Sequence, residues 1–130
     1  MAYTLRIPES ATLGPKKFVN SHGRTECVEF VRQATGAPST PAWQQGTRIK
    51  MAQPGSIKRG TAISTFDSNG RYPTDGLGRH AAIYLSHSPV GIRVLDQWNG
   101  QGEVKERTIF FNKPKGTSRS NDGDCFYVIE

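Results

Sequence analysis

Reactive side chains are scarce in this sequence. Its 130 residues include two cysteines and three histidines, too few for a disulfide scaffold and without the ligand spacing of a zinc site. No apolar run approaches the roughly 20 residues that a membrane-spanning helix needs. The N-terminal segment also lacks the apolar stretch of a secretory signal peptide. We therefore expect a single domain over residues 1–130, made in the cytoplasm, with no metal, cofactor or membrane insertion.

The charge of the chain is basic but scattered. Lys and Arg number 17 against 11 Asp and Glu, which gives a formal net charge of +6. Such a field attracts anionic partners, among them nucleic acid, acidic membrane surfaces and bacterial cell wall. No run of five or more basic residues occurs, and no signature of a nucleic-acid-binding module is present. The charge alone indicates only that an anionic partner is possible, because a solvated basic surface accounts for it as well, and we expect no nucleic-acid partner.

Hydrophobic periodicity predicts one helix followed by a sheet. Residues 25–34 carry Cys27 and apolar side chains that share its face at helical spacing, and Gly36 suits the end of that helix. A second short helix is predicted at 41–50, after which the pattern changes to that of strands. The predicted strands are 60–66, 80–85, 91–98, 103–111 and 125–129. This order indicates an α+β fold in which the helix packs on an antiparallel sheet of about five strands.

Cys27 occupies the position where a helix most favours a reactive thiolate. Thr25 is the predicted N-cap, so Cys27 falls in the first turn, near the positive end of the helix dipole and its free N–H groups. The alternative is that Cys27 is simply a small apolar residue on the buried face of the helix. A base in reach of the thiol decides between these two interpretations.

His80 is the candidate base, because it opens a strand directly after the Gly-rich segment 67–79. The hairpin that follows places Asp96 or Gln97 opposite His80. Only one of the two can face the imidazole. A carboxylate both orients the ring and stabilises its charged form, so Asp96 is the stronger candidate.

The other cysteine and the other two histidines have no comparable context. Cys125 lies in the last predicted strand, where we expect it to be free and buried instead of bonded to Cys27. His22 and His87 fall in predicted loops with no partner pattern, and we expect neither to be catalytic. The reactive set is thereby reduced to Cys27, His80 and one residue across the hairpin.

Three segments in this order resemble the NlpC-type and CHAP-type cysteine peptidases and amidases, which are papain-like enzymes that hydrolyse peptide bonds of bacterial cell walls. The segments are ECVEFV at 26–31, HAAIYL at 80–85 and VLDQW at 94–98. The resemblance implies a papain-like amidase domain with a catalytic triad of Cys27, His80 and Asp96. The side chains expected to line the substrate cleft are those of Gln44, Gln97 and Trp98.

The small size, the basic charge and the lack of a signal sequence narrow this resemblance. The chain looks like the stand-alone amidase effectors of type VI secretion, and the third of their families is the one indicated. That likeness implies peptidoglycan as the substrate, secretion into the periplasm of a recipient bacterium, and a cognate immunity protein as a further partner.

Two other functions are compatible with the same residues. A non-catalytic basic binding module of papain-like shape predicts that Cys27 resists thiol reagents at neutral pH, because it then has no low-pKa thiolate. A Cys–His deamidase or acyltransferase uses the same triad with a different substrate or acceptor. The sequence does not name the bond that is cut.

Overall fold

The structure is a computed structural model that describes residues 1–14 and 16–130. Within those residues it has one α-helix, α1 (Cys27–Thr35), and six strands. The strands are β1 (Gln45–Arg48), β2 (Ala62–Thr65), β3 (Ala81–His87), β4 (Gly91–Asp96), β5 (Lys105–Phe110) and β6 (Phe126–Ile129). Short 3-10 turns lie at Glu9–Ala11, Thr40–Ala42, Ile49–Met51, Arg119–Asn121 and Gly123–Cys125.

The six strands form one sheet in the order β1-β6-β2-β3-β4-β5, with every neighbouring pair antiparallel. All five predicted strands are present, and the α+β class is confirmed. The helix predicted at 41–50 is wrong. Two 3-10 turns flank a strand there, because the backbone of β1 pairs with β6 at Gln45–Ile129 and Arg48–Tyr127.

Helix α1 lies against β3 and buries the face that its sequence pattern predicts. The fully buried side chains on that face are Phe30, Val31 and Ala34. Gly36 ends the helix with φ at 75°, a left-handed conformation that suits glycine at this position. Thr25 is not the cap: Glu26 holds the N-cap position without a side-chain bond, and the Thr25 hydroxyl donates to the Trp98 carbonyl at 3.3 Å.

Apolar side chains cover both faces of the sheet. The cluster on the helix side includes Phe30, Trp43, Ile83, Leu95 and Ile129. The cluster on the opposite face includes Ile49, Ile63, Tyr84, Ile92 and Phe126. Each such side chain contributes about 1.5–3 kcal/mol when it is fully buried. The central strands are therefore held from both sides, which gives a rigid frame for groups at their ends.

None of the helices in residues 1–14 and 16–130 is both long and apolar enough to cross a membrane.

Candidate active site

Three elements bring the predicted reactive residues to one end of the sheet. Cys27 is the first residue of α1, His80 directly precedes β3, and Asp96 is the last residue of β4. Because α1 packs on β3, its N-terminus reaches the start of that strand, and Cys27 lies beside His80 and Ala81. The free N–H groups of the helix start and the first residue of β3 thus surround the thiol.

Strand register decides which residue meets His80. Ile83 pairs with Leu95, which puts Asp96 across from Ala82. His80 lies two residues before Ala82, so strand alternation places it on the same face as Asp96. The His80 Nε2 and the Asp96 Oδ2 are 2.7 Å apart. The structure therefore brings Asp96, and not Gln97, to the imidazole.

Asp96 is fully buried and bonds two cationic groups through one oxygen. Besides the imidazole, its Oδ2 accepts a hydrogen bond from the Nε of Arg107 at 2.7 Å. Its Oδ1 has no hydrogen-bond partner among the described residues. Arg107 also lies over the ring of Trp98, with its guanidinium carbon 5.1 Å from the ring centroid. A buried carboxylate is costly unless it is paired, and here the imidazole and the guanidinium supply that pairing.

The environment of Cys27 favours its thiolate. Burial raises the pKa of this thiol, but the hydrogen bond and charge of His80 lower it, with help from the Ala81 N–H and the Tyr72 hydroxyl. The net result is a pKa below the ordinary value for cysteine. The Tyr72 hydroxyl oxygen lies 3.8 Å from the Cys27 sulfur.

The environment of His80 favours its imidazolium. Burial acts to lower the pKa of this ring, whereas the hydrogen bond with Asp96 and the neighbouring Cys27 raise it, to about 9. Since Nε2 is bonded to Asp96, Nδ1 is the ring nitrogen that remains to exchange a proton with the Cys27 thiol. The shift of Cys27 favours its thiolate and the shift of His80 favours its imidazolium, which are the two members of an ion pair.

The pair faces a cavity of about 390 Å³. Its walls include Tyr72, Arg79 and Trp98 beside Cys27 and His80. Trp98 is 38 % exposed and stands edge-on to the His80 ring, with the centroids 6.1 Å apart. The cavity therefore offers a flat apolar wall and an exposed cation next to a nucleophile.

The predicted cleft residues divide into one that lines this cavity and two that do not. Trp98 lines it, whereas Gln97 is fully buried and uses its amide to bond the Phe18 backbone N–H and carbonyl and the Glu26 carbonyl. Gln97 thus holds the entry of α1 in place. Gln44 lines two other surface depressions, and its backbone pairs with Glu130.

Tyr72 and Arg107 were missed by the sequence reasoning. Tyr72 sits within the Gly-rich segment 67–79, whose pattern indicates only a loop, and no spacing rule connects it to Cys27. Arg107 stands opposite Val94 on the neighbouring strand, so alternation puts it on the face of Asp96. Pairing β5 with β4 in the correct register could have found Arg107 from sequence.

The remaining cysteine and histidines lie away from this site. Cys125 is free, as is Cys27, so no disulfide joins them. The prediction that Cys125 is buried within the last strand is wrong: it is half-buried and ends a 3-10 turn, because the pairing of β6 begins one residue later. Burial and then the charge of Asp122 raise the pKa of Cys125, which disfavours its thiolate. His22 is exposed, and His87 is buried at the far end of β3. Within the described residues no cluster of three or more His, Cys, Asp or Glu side chains is arranged to hold a metal ion.

Comparisons with known proteins agree on one family. The family model described as domesticated amidase effector 2 matches residues 7–129. A type VI secretion amidase effector 2 protein of Salmonella typhi is 33% identical over 125 residues, which cover 88% of this chain and 90% of that protein. A domesticated amidase effector 2 of Ixodes scapularis is 39% identical over 112 residues, covering 82% of this chain and 72% of that protein.

The fold is also similar to a solved structure. A chain described as type 6 secretion amidase effector 2 (Tae2) superposes with a TM-score of 0.80 at 29% identity, covering 98% of this chain and 94% of that chain. The resemblance seen in the sequence pointed to the third of the effector families, whereas the family model and these relatives belong to the second.

Proposed function

The chain belongs to the domesticated amidase effector 2 family, and on that premise we propose that it is a peptidoglycan amidase that cleaves a peptide bond of the wall with a cysteine nucleophile. The observation that carries the proposal is the Cys27–His80–Asp96 arrangement at the wall of the cavity. It places a thiol of lowered pKa beside a base that a buried carboxylate orients. We assign the mechanism to the papain-like NlpC/CHAP type.

The first half of the reaction follows from the pair of charges. The Cys27 thiolate attacks the carbonyl carbon, a C–S bond forms, and the carbonyl π electrons move onto oxygen. The tetrahedral intermediate then collapses, the C–N bond breaks, and the proton on His80 Nδ1 goes to the leaving amine. A thioester on Cys27 and a neutral His80 remain.

The second half reverses the role of the histidine. Neutral His80 takes a proton from water as the water attacks the thioester, and the C–S bond breaks to release a carboxylic acid. Asp96 holds the ring in one orientation through both halves and stabilises its charged form. The backbone N–H of Cys27, at the first helical position, donates to the oxyanion.

We extend the proposal to the biology of the molecule. Residues 1–130 act as one amidase domain, since β6 lies between β1 and β2 in the same sheet that carries His80 and Asp96 at the start of β3 and the end of β4. It is secreted by a type VI system into the periplasm of a recipient bacterium and is neutralised by a cognate immunity protein. The net charge of +6 favours retention on an anionic wall.

Digestion of purified sacculi tests this function. Wild type should release peptide fragments whose masses identify the bond that is cut, and Cys27→Ala should release none above background. Cys125→Ala is the matched control, because Cys125 lies outside the cavity and its thiol pKa is raised. Equal release by wild type and Cys27→Ala contradicts the mechanism, and intact sacculi with wild type contradict the substrate.

A further inference from the structure

Tyr72 is the third polar group beside the reactive pair, and nothing in the triad accounts for it. Its hydroxyl lies 3.8 Å from the Cys27 sulfur and lines the same cavity. A thiolate has no proton to give, so in the charged pair the hydroxyl must be the donor. This contact is long for a hydrogen bond even to sulfur, which means that little is lost when the hydroxyl turns to a better acceptor.

A better acceptor arises during the reaction. When the thiolate attacks, its charge passes to an oxygen only one atom removed from the sulfur. The sulfur becomes thioether-like and accepts hydrogen bonds weakly. A donor that bonds the oxyanion more strongly than it bonds the ground state lowers the barrier. The hydroxyl of Tyr72, already beside the sulfur and on the cavity side, meets this requirement.

The position of Tyr72 is fixed before any substrate arrives. Its ring packs edge-on against the buried Trp43, with centroids 5.2 Å apart. Just before it, the Asp67 carboxylate accepts the backbone N–H of Arg71 at 3.0 Å. Just after it, Asp75 makes a bidentate ion pair with Arg119 at 2.7 and 2.9 Å. A donor held in this way needs no reorganisation as charge develops.

The surroundings of the Tyr72 hydroxyl favour its protonated form, which is the form that donates a hydrogen bond. Burial raises the pKa of Tyr72, and the neighbouring Cys27 raises it further. The group is therefore a donor and not a second base.

We propose that the Tyr72 hydroxyl is an oxyanion donor, which completes with the Cys27 backbone N–H a two-donor site for the tetrahedral intermediate. The inference rests on the proposed function, because it assigns a role in the same acyl transfer. Tyr72 is then a catalytic residue supplied by the segment 67–79, in addition to the nucleophile, the base and the orienting carboxylate of the triad.

The test compares three rates in wild type and Tyr72→Phe, a change that removes the hydroxyl and keeps the ring that packs on Trp43. The first rate is the release of peptides from sacculi. The second is acylation of the enzyme by p-nitrophenyl acetate, measured by the release of p-nitrophenolate. The third is alkylation of Cys27 by iodoacetamide. Tyr127→Phe is the matched control, since Tyr127 lies on β6 and does not line the cavity.

We expect Tyr72→Phe to slow both acyl transfers by about 100-fold or more, the cost of one oxyanion donor. Alkylation forms no oxyanion, so its rate and pH profile should change far less, by only the minor part that the Tyr72 hydroxyl plays in lowering the pKa of Cys27. Equal losses in alkylation and acyl transfer would show that Tyr72 only holds the thiolate and would overturn the inference. Unchanged acyl transfer would overturn it as well.

The ester separates this inference from the proposed substrate. If wild type leaves sacculi intact but is acylated by the ester, and Tyr72→Phe is acylated far more slowly, the peptidoglycan assignment fails and the oxyanion donor stands. If wild type is acylated by neither, no acyl transfer exists for Tyr72 to assist, and the inference fails together with the mechanism.

Discussion

The two ends of β3 each carry a buried histidine, and the two are used in opposite ways. His80, at the start, bonds a buried carboxylate on one side and serves a thiol on the other. His87, at the end, accepts from the Tyr84 hydroxyl through Nδ1 at 2.6 Å, and its Nε2 donates to the Ala52 carbonyl at 2.9 Å. The His80 ring lies between a carboxylate and a thiol, whereas the His87 ring lies between a hydroxyl and a backbone carbonyl.

Burial of a histidine does not by itself give it an acid–base role. Both nitrogens of His87 are occupied by partners that carry no charge, the Tyr84 hydroxyl and the Ala52 carbonyl, and these bonds tie the strand end to the segment carrying Ala52. His80 has a carboxylate to stabilise its charged form and a nucleophile to serve. The partners, and not the residue type or its depth, set the role.

The largest effect is expected when the imidazole at the start of the strand is removed. His80→Asn should lower the rate of peptide release from sacculi by at least about 10⁴-fold, because the thiol loses its ion-pair partner and the leaving amine loses its acid. Alkylation of Cys27 at neutral pH should slow in the same variant. A variant that retains more than a small residual rate, with an unchanged circular dichroism spectrum, would contradict the assigned role.

A smaller effect is expected when the charge of the orienting group is removed. In wild type the alkaline limb of the pH–rate profile should lie near pH 9, because above the raised pKa of His80 the imidazolium is lost. Asp96→Asn should lower the rate about 100-fold and move that limb to lower pH, since a neutral amide stabilises the imidazolium less. A limb that stays in place would argue against Asp96 as the cause of the raised pKa.

The smallest effect on catalysis is expected at the far end of the strand. His87→Ala leaves the buried Tyr84 hydroxyl without a partner, so the free energy of unfolding should fall by about 1–3 kcal/mol. The rate of the folded fraction should equal that of wild type. Denaturant unfolding and sacculus assays at one temperature measure the two effects, and a lowered rate in fully folded protein would erase the contrast between the two histidines.

Much of the fold could be predicted from sequence because its signals are local. The helical spacing in α1 and the short apolar runs that predict strands each depend on a few neighbouring residues. The segment 41–50 shows the limit. Its composition suits a short helix. In the structure, however, Gln45 and Arg48 pair with the edge of β6, and no local sequence pattern indicates that this edge is free to pair.

The candidate site could be predicted only where its parts stand at element boundaries. Cys27 at a helix start and His80 at a strand start carry a recognisable context. The choice between Asp96 and Gln97 depended on a strand register that the sequence left open, and the Ile83–Leu95 pairing decided it. Tyr72 reaches the thiol through the path of a long loop, which no periodicity encodes.

The place of β6 in the sheet determines when during synthesis the site residues can be aligned. β6 is the last strand along the chain, yet it lies between β1 and β2, and Phe126 stands edge-on to the His80 ring at 6.4 Å. Strands that pair across such sequence distances close late in folding. In a nascent chain with β6 still inside the ribosome, Cys27, His80 and Asp96 are already translated, but the sheet that aligns them is incomplete. Under the proposed function, the three residues are aligned for reaction only after β6 has been translated and has paired with β1 and β2, and an inhibitor is needed only from that moment.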